Sequence, residues 1–477
     1  MLFNSFEFLL FLPVVFLLHW LVLKGRMARN LLLAGASYIF YGWWNPMFLL
    51  LIFFTTVCSY LSGILIGGYG FTLRRRRAVL WINVLLNLGI LGVYKYFDFF
   101  SQSFAAMMSA VGWQVDAVTL NLILPVGISF YTFQALSYSI DVYRGDVAPT
   151  RDFVAFVTFI SFFPQLVAGP IERATNLLPQ FLHRRSFSYP DGVEGMKLML
   201  WGLFKKMVVA DNAAPVVNSI FGNYTHLGSA TLWVGALLFT FQIYCDFSGY
   251  SDIAVGVARL FGVRLMRNFR LPYFSKSIND FWKRWHISLT SWFRDYVYIP
   301  LGGNRKGRGR TLRNTLAVFT VSGLWHGADF TFIVWGLYHG LLYLPHIFLK
   351  GRGASGGGNG WWPLYFRNSL MMGLTFLLVV VGWVLFRADH LADAIGYVRM
   401  MFSFIPDTGP LPGKTALCWA LLMMVVEWHT RHRATPFDFA GTGLLRWRWA
   451  RWGVCLLAFA VTLLFAGIPG KFIYFQF

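Results

Sequence analysis

Long apolar runs recur along the whole chain and are separated by short polar or basic loops. The first covers residues 6–23, and the next three cover residues 30–44, 47–67 and 78–99. Crossing the hydrocarbon core of a bilayer takes about 20 apolar residues in a helix, and a helix also satisfies its own backbone hydrogen bonds in lipid. The pattern therefore predicts an all-α polytopic membrane protein with about 11–13 transmembrane or re-entrant helices.

Two of the later runs are expected to be interrupted. The run 117–140 contains Pro125 and Gly127, which predict a kinked or broken helix. The run 230–262 is too long for one straight span, and we expect a break near residues 246–249. The other runs expected to be helical cover residues 153–169, 367–386, 415–428 and 452–468.

The basic residues indicate how the chain is oriented in the membrane. They cluster at residues 24–29 and 74–77, whereas the loop 101–116 contains no Lys or Arg. Cytoplasmic loops are enriched in Lys and Arg. We therefore expect the two basic clusters in the cytoplasm, and the N-terminus and the loop 101–116 outside.

Two further stretches are interpreted from the residues that flank them. The run 6–23 has no basic segment before it and no small-residue cleavage site after it, so we expect a retained span rather than a signal peptide. The stretch 193–210 is amphipathic and is flanked by the basic pairs 184–185 and 205–206. This pattern predicts a segment that lies partly in the membrane interface.

The composition favours one integral-membrane domain over residues 1–477. The chain is 57% hydrophobic and 13% charged, against about 25% charged residues in soluble proteins. The 41 Lys and Arg exceed the 20 Asp and Glu, but they lie in short clusters between apolar runs. This placement favours lipid headgroups over nucleic acid as the partner. The four cysteines and ten histidines show no zinc-site spacing, so we expect no bound metal or cofactor.

Histidines stand within apolar surroundings in the segment 281–339. His286 lies in a basic, tryptophan-rich stretch, His326 lies near the end of an apolar run, and His339 lies in the following run. Ionisable residues at membrane depth usually face the interior of a helix bundle or a wet cavity. Histidine also exchanges protons near neutral pH. The segment is therefore the first candidate for a buried reactive site.

Several long motifs carry a resemblance to a known family. They are FWKRWHISLTSWFRDYVYIPLGGNR, GLWHG, PVGISFYTFQALSYSIDVYRG, SFFPQLVAGPIER, QIYCDFSGYSDIAVG and ASYIFYGWW. Together they resemble the membrane-bound O-acyltransferase family, and within it the bacterial alginate O-acetyltransferase-like branch. The resemblance runs essentially end to end, with the core region at about residues 240–345.

The resemblance implies a fold, a reaction and partners. The implied fold is a ring of helices around a thin central waist, with one funnel facing the cytosol and one facing the opposite side. His326 matches the catalytic histidine of the family, and His286 matches the second polar position of the same chamber. The implied donor substrate is acetyl-CoA, and the product is an acetyl ester on an exported polysaccharide or peptidoglycan. The resemblance also implies an extracytoplasmic, serine-esterase-like acetyltransferase partner and a location in the bacterial inner membrane.

Acyl transfer to a hydroxyl requires a base and a donor for the tetrahedral oxyanion. His326 is the candidate base and His286 the candidate orienting group or oxyanion donor, although these roles are interchangeable and His286 also fits simple packing. Arg294, Asn304 and Arg305 are candidates for binding the phosphates or the adenine-ribose end of CoA.

Two other features of this segment are interpreted structurally. His339 is thirteen residues from His326, so the two would not share a face of one helix, and we expect a structural or cavity-lining role. Gly323 and Gly327 are four residues apart, as are Gly336 and Gly340, which predicts close helix packing beside His326.

The C-terminal sequence KFIYFQF has two interpretations. Aromatic residues commonly anchor a helix end at the membrane interface. The motif 472–477 also resembles a terminal motif of glycan-acylating systems, which in the related D-alanylation system belongs to a small partner protein. That resemblance implies that Tyr474 carries the acyl group transiently.

Two alternatives to an enzyme remain open at this point. One is a transporter of an acyl group or small solute without catalysis, and the other is a scaffold for glycan-processing proteins. The paired histidine motifs and the lack of an inverted repeat favour the enzyme. The resemblance implies an exported glycan as the acceptor, and alginate, cellulose and peptidoglycan all remain open.

Overall fold

A computed structural model describes residues 1–68, 70–167, 169–349, 364–433, 435–439, 443–468, 470 and 472–473. Within these ranges the regular structure is entirely helical and contains no strand, which confirms the all-α prediction. The chain divides into two compact units. One comprises residues 1–199 and 253–266, and the other comprises residues 200–252 and 267–477.

Ten α-helices begin in the described residues of the first unit, and α10 ends in the second. They are α1 (Phe6–Leu17), α2 (Arg26–Gly42), α3 (Phe48–Gly67), α4 (Leu73–Leu91), α5 (Phe97–Ala110), α6 (Ile128–Arg144), α7 (Phe153–Ser161), α8 (Phe163–Leu166), α9 (Ala174–Leu182) and α10 (Tyr189–Leu203). Two π-helical segments, Leu18–Val22 and Gly92–Tyr96, extend α1 and join α4 to α5. The apolar runs 6–23, 30–44 and 47–67 are thus confirmed as helices.

Ten more α-helices begin in the described residues of the second unit, and α12 ends in the first. They are α11 (Asp211–Gly222), α12 (Ser229–Leu260), α13 (Ile278–Trp282), α14 (Ile287–Phe293), α15 (Arg308–His326), α16 (Phe330–Leu349), α17 (Leu364–Arg387), α18 (Leu391–Met401), α19 (Lys414–His429) and α20 (Arg448–Leu464). π-Helical segments at Phe204–Ala210 and Arg294–Tyr298 precede α11 and follow α14.

Several helices have the length and composition of membrane spans. Among the described residues four qualify, namely Phe48–Gly67, Leu73–Ala110, Ser229–Leu260 and Phe366–Arg387. Two shorter apolar helices, Phe6–Val22 and Phe153–Leu166, accompany them. These helices agree with a polytopic membrane protein, while the number of spans and the ring with a central waist stay predictions.

Three sequence-based predictions about helices were wrong. Helix α12 is continuous through residues 246–249, because Gly249 serves close packing rather than a break. A Cβ built at Gly249 would lie 2.7 Å from the carbonyl oxygen of Gly202. Helix α6 begins only at Ile128, after Gly127 in the left-handed conformation, so residues 117–125 are not helical. The predicted loop 101–116 is helical as far as Ala110, where α5 ends.

A buried carboxyl group braces the turn that follows α8. Glu172 is fully buried and accepts hydrogen bonds from the side-chain amide of Asn176 and the backbone N–H of Met266. Burial raises the pKa of Glu172 from 4.5 to about 7, because desolvation outweighs these hydrogen bonds. The neutral carboxyl is therefore the form that the fold favours.

This raised pKa predicts a pH-dependent stability. Since the folded pKa lies above the unfolded one, the contribution of Glu172 is fully present below pH 4.5 and is lost as the pH rises through 7. The loss amounts to about 3 kcal/mol at most. We expect Glu172→Gln, which resembles the protonated form, to show a smaller fall in thermal unfolding midpoint between pH 5 and pH 8 than the wild type. Equal falls in the two proteins would contradict this assignment.

Candidate active site

His326 is the last residue of α15 and lies in an aromatic enclosure. The residue is 4% exposed. The centre of its ring is 4.9 Å from that of Trp325, 5.1 Å from that of Trp335 and 5.5 Å from that of Phe386. The helix ends here because Gly327 turns the chain into an extended conformation. His326 is therefore held at a helix terminus in surroundings that exclude most water.

Helices α15 and α16 approach each other closely beside this histidine. A Cβ built at Gly323 would lie 2.1 Å from the carbonyl oxygen of Phe332, and one built at Gly336 would lie 2.3 Å from the carbonyl oxygen of Phe319. Only glycine fits at such distances. The predicted close packing is confirmed, although it joins Gly323 to Gly336 and Gly327 lies outside the helix.

His286 occupies a strained backbone position immediately before α14. Its φ of 43° and ψ of 54° are left-handed, which is uncommon for a residue other than glycine. The residue is 1% exposed, and its ring centre is 4.7 Å from that of Phe247 and 6.1 Å from that of Trp325. Backbone strain of this kind is concentrated at functional sites.

Asn268 holds the backbone around His286 in place. Its carbonyl oxygen accepts a hydrogen bond of 2.9 Å from the N–H of Ile287. Its side-chain Oδ1 accepts one of 2.5 Å from the hydroxyl of Ser288. Asn268 is buried, and no sequence pattern marked it in advance. It is a positioning residue that the sequence interpretation missed.

The structure brings His286 and His326 together. Their ring centres are 6.5 Å apart and the ring planes are inclined at 62°. Hydrogen bonds of this type need about 2.7–3.2 Å between heavy atoms, so these two small rings are too far apart to bond directly. A reacting group between them would lie within reach of both. The predicted pairing of these residues in one place agrees with this arrangement.

His339 belongs to the same aromatic cluster although it lies on α16. The ring of Trp335 separates it from His326, with centres 5.2 Å from His339 and 5.1 Å from His326. Its other ring neighbours include Trp282 at 5.2 Å. In the described part of the chain neither ring nitrogen of His339 has a hydrogen-bond partner. The predicted cavity-lining or structural role agrees with this position.

The three candidate donor-binding residues lie between α14 and α15 or beside that loop, and are exposed. Arg294 is in the π-helical segment that follows α14, with a side chain 63% exposed and an ion pair of 2.7 Å to Asp295. Asn304 and Arg305 lie in the exposed loop before α15. The structure therefore does not place them in the aromatic enclosure of the histidines, and a role in binding the donor stays a prediction.

Tyr474 lies outside the described residues, but the two residues before it are described. Phe472 is buried, and its ring centre is 5.9 Å from that of Phe247, which also contacts His286. The backbone N–H of Ile473 donates a 2.7 Å hydrogen bond to Oδ2 of Asp246. Phe472 thus packs against Phe247, and Phe247 contacts the ring of His286.

The basic pair 205–206, which belongs to the stretch predicted to lie partly in the membrane interface, is buried within the protein. Both side chains are 3% exposed and both are ion-paired, Lys205 with Asp252 at 2.7 Å and Lys206 with Asp211 at 2.8 Å and Asp246 at 2.7 Å. Burial occurs because each ammonium group has a carboxylate partner. Through these contacts Asp246 and Asp252 brace α12, which is unbroken.

Comparison with known proteins identifies the family. The family model of the membrane-bound O-acyltransferases matches residues 148–352. The probable alginate O-acetylase AlgI of Pseudomonas putida is 44% identical over 405 residues, which cover 85% of this chain and 81% of the relative. The chain belongs to the membrane-bound O-acyltransferase family. The predicted enzyme class, an acyltransferase, is thereby confirmed, rather than a transporter or a scaffold.

Relatives with other named acceptors are also similar to this chain in sequence. The peptidoglycan O-acetyltransferase of Helicobacter pylori is 35% identical over 433 residues, covering 84% of this chain and 80% of the relative. The teichoic acid D-alanyltransferase of Bacillus subtilis is 28% identical over 251 residues, covering 48% of this chain and 60% of the relative. The resemblance inferred from the motifs is confirmed.

Asn268→Ala is expected to lower kcat of this acyltransferase while leaving KM for the acyl donor nearly unchanged. The substitution removes the acceptor for Ser288 and lets the strained His286 backbone relax, and a misplacement of about 1 Å costs up to about 10²-fold in rate. Steady-state kinetics on the purified variant measures the effect. Asn223→Ala, at an exposed position whose side-chain amide donates to the carbonyl oxygen of Ser219, is the control. Unchanged kcat in Asn268→Ala would contradict a positioning role.

Proposed function

We propose that this protein is a membrane O-acetyltransferase component that takes acetyl from cytosolic acetyl-CoA and passes it across the membrane. The acetyl group is used for O-acetylation of an exported polysaccharide or peptidoglycan. The observation that carries the proposal is the buried pair of His286 and His326, with ring centres 6.5 Å apart inside an aromatic enclosure. Relatives named as alginate and peptidoglycan O-acetyltransferases support the acceptor class.

The two histidines supply the chemistry of acyl transfer. His326 acts as the base that takes the proton of the attacking hydroxyl, and His286 orients that hydroxyl or donates to the tetrahedral oxyanion. Electrostatic interactions in such a water-poor enclosure are stronger than in bulk water. Because both rings are buried, the proposal requires a passage through which the thioester reaches them.

The membrane imposes the division of the reaction between two sides. Bulky, charged CoA does not cross a bilayer, whereas an acetyl group is small and uncharged. The proposal places the protein in the bacterial inner membrane with its N-terminus outside, and it places the donor funnel in the cytosol and the acceptor funnel on the other side of a thin waist. Arg294, Asn304 and Arg305 then bind the phosphates or the adenine-ribose end of CoA from the cytosolic side.

Tyr474 is the proposed transient carrier of the acetyl group. Its phenol oxygen attacks the thioester carbonyl carbon as His326 takes the phenol proton. The carbon–sulfur bond breaks, and the thiolate leaves and takes up the proton as CoA. The acetyl ester then passes to a hydroxyl on a serine-esterase-like partner outside the membrane or on the glycan itself, and the phenol is regenerated. The position of Phe472 beside the wall around His286 supports this role.

Labelled acetyl-CoA tests the proposal directly. We expect purified protein in lipid nanodiscs to retain radiolabelled acetyl, which mass spectrometry maps to Tyr474. Tyr474→Phe should remove the label and glycan acetylation while leaving the thermal unfolding midpoint unchanged, because only a hydroxyl is lost. Glycan acetylation retained in Tyr474→Phe would refute the carrier. Uptake of a solute without CoA turnover would instead favour a transporter.

A further inference from the structure

A buried ion cluster stands at the junction of the π-helical segment Phe204–Ala210 and α11. Nζ of Lys206 is 2.8 Å from Oδ1 of Asp211 and 2.7 Å from Oδ1 of Asp246. All three side chains are 3% exposed. One ammonium group thus meets two carboxylates away from solvent. A buried ion cluster of this kind is a poor source of stability, since desolvating the charges offsets their attraction.

Burial and the attraction between the charges together set the protonation of the cluster. Burial raises the pKa of Asp211 to about 6, and the attraction of Lys206 reverses this only in part. Burial alone would lower the pKa of Lys206, but the charges of Asp246 and Asp211 outweigh it and the pKa rises. Near neutral pH the cluster therefore keeps its ammonium charge, and it needs further hydrogen-bond donors for its carboxylate oxygens.

The C-terminal segment supplies those donors. The N–H of Ile473 donates to Oδ2 of Asp246 at 2.7 Å, and the N–H of Gly470 approaches Oδ1 of Asp211 at 3.4 Å. The carbonyl oxygen of Gly470 lies 3.5 Å from Nζ of Lys206. Asp246 and Ile473 are 227 residues apart in the chain. The cluster thus clamps the end of the chain from both sides.

Further contacts lead the segment into the clamp. The N–H of Gly467 donates to the carbonyl oxygen of Met207 at 2.8 Å, and the side-chain amide of Asn212 donates to the carbonyl oxygen of Phe465 at 2.8 Å. A Cβ built at Gly467 would lie 2.6 Å from the carbonyl carbon of Asp211. The described part of the segment is therefore packed directly on the backbone that carries the cluster.

Phe472, which lies within the clamped segment, packs against two aromatic rings beside the histidine site. The ring centre of Phe472 is 4.8 Å from that of Tyr250 and 5.9 Å from that of Phe247. Phe247 in turn lies 4.7 Å from His286 between ring centres. A chain of direct ring contacts thus connects the clamped segment to His286.

We propose that the cluster of Lys206, Asp211 and Asp246 positions the C-terminal segment so that Tyr474 is presented to the histidine pair. This inference rests on the proposed carrier function of Tyr474. Tyr474 is joined to Ile473 by a single peptide bond, and consecutive Cα atoms lie about 3.8 Å apart. Fixing the N–H of Ile473 on Asp246 therefore restricts the reach of the phenol. Lys206 acts as a positioning residue, because it contacts Asp211, Asp246 and the carbonyl oxygen of Gly470 rather than the reacting atoms.

Lys205 provides a matched control for Lys206. It is the preceding residue, has the same 3% exposure and is also ion-paired, but its partners are Asp252 at 2.7 Å and the hydroxyl of Ser248 at 2.9 Å. These partners lie on α12 and not in the C-terminal segment. Lys205→Met and Lys206→Met therefore each remove one buried, ion-paired ammonium group, and only Lys206→Met should release the segment.

Hydrogen exchange tests whether the cluster holds the C-terminal segment in place. Acetyl labelling tests whether this positioning is needed for transfer. In Lys206→Met we expect faster exchange of the amides in residues 465–473 than in the wild type or Lys205→Met. We also expect about 10²-fold less acetyl on Tyr474 and on the glycan, with KM for acetyl-CoA retained. Ile473→Pro removes the N–H that Asp246 accepts and leaves the cluster intact, so it should reproduce the loss of transfer even where Lys206→Met fails to fold.

The outcomes separate this inference from the function on which it rests. Unchanged exchange of residues 465–473 in Lys206→Met would overturn the clamp. Faster exchange with normal transfer, or normal transfer in Ile473→Pro, would overturn its role in presentation. Wild-type protein that never carries acetyl on Tyr474 would refute the carrier function, and with it the presentation of Tyr474, while the exchange data would still report on the clamp.

Discussion

His326→Ala is expected to remove acyl transfer almost completely. A positioned general base contributes about 10²–10⁴-fold to the rate, and no bulk water replaces it in an enclosure where the residue is 4% exposed. His326 is the last residue of α15, and its side chain contacts the neighbouring aromatic rings described above. We therefore expect the fold to persist. Rates of acetyl-CoA turnover and glycan acetylation in nanodiscs, beside a thermal unfolding curve, measure both effects.

His429→Ala is the matched control for this variant. His429 ends α19, is exposed and places Nδ1 at 2.9 Å from the carbonyl oxygen of Val425. Removing it should leave the rate unchanged. If His326→Ala kept more than about a tenth of the wild-type rate, a catalytic base at this position would be excluded. His286→Ala would then be the variant to identify the base, because the roles of the two histidines are interchangeable in the mechanism.

Gly323→Ala is expected to have the second largest effect, although the residue does no chemistry. The added Cβ would lie 2.1 Å from the carbonyl oxygen of Phe332 and 3.2 Å from Cα of Gly336. Backbone atoms cannot rotate away as a side chain does, so α15 and α16 must separate. Overpacking of this kind costs about 1–3 kcal/mol. His326 lies on the same helix and moves with it, and we expect a loss of about 10²-fold in kcat.

Gly309→Ala tests whether this effect comes from helix contact. Gly309 lies in the same helix α15, and a Cβ built there meets no atom within 4 Å. This substitution should leave the rate unchanged and slightly favour the helix, because alanine has the higher helix propensity. Equal activity in Gly323→Ala and Gly309→Ala would show that the spacing of α15 and α16 does not control His326.

The polar residues of α12 form side-chain contacts along a helix that stays continuous. Ser248 and Asp252 are both engaged by Lys205, and Tyr244 donates a 2.8 Å hydrogen bond to buried Glu427. In a low-dielectric environment each such group needs a partner. The motif QIYCDFSGYSD therefore supplies the helix with polar contacts at regular positions along its length, and the glycine within it serves close packing.

The sequence by itself determined the class of protein and its local elements. Apolar runs of span length specified helices such as α3 and α17, because hydrophobicity and helix length act locally. The motifs around His286 and His326 were enough to indicate the family and to single out His326 as the candidate base. The glycines at positions 323 and 336 likewise predicted a close contact between helices.

Only the tertiary structure decided how distant parts of the chain meet. It set His286 in a left-handed backbone conformation beside His326, made α12 continuous, and buried Lys205 and Lys206 against carboxylate groups. It also joined Ile473 to Asp246 across 227 residues of sequence. The local sequence around a charged residue does not show whether its side chain is solvated by water or ion-paired with a buried carboxylate. Its location follows from partners that folding alone brings within reach.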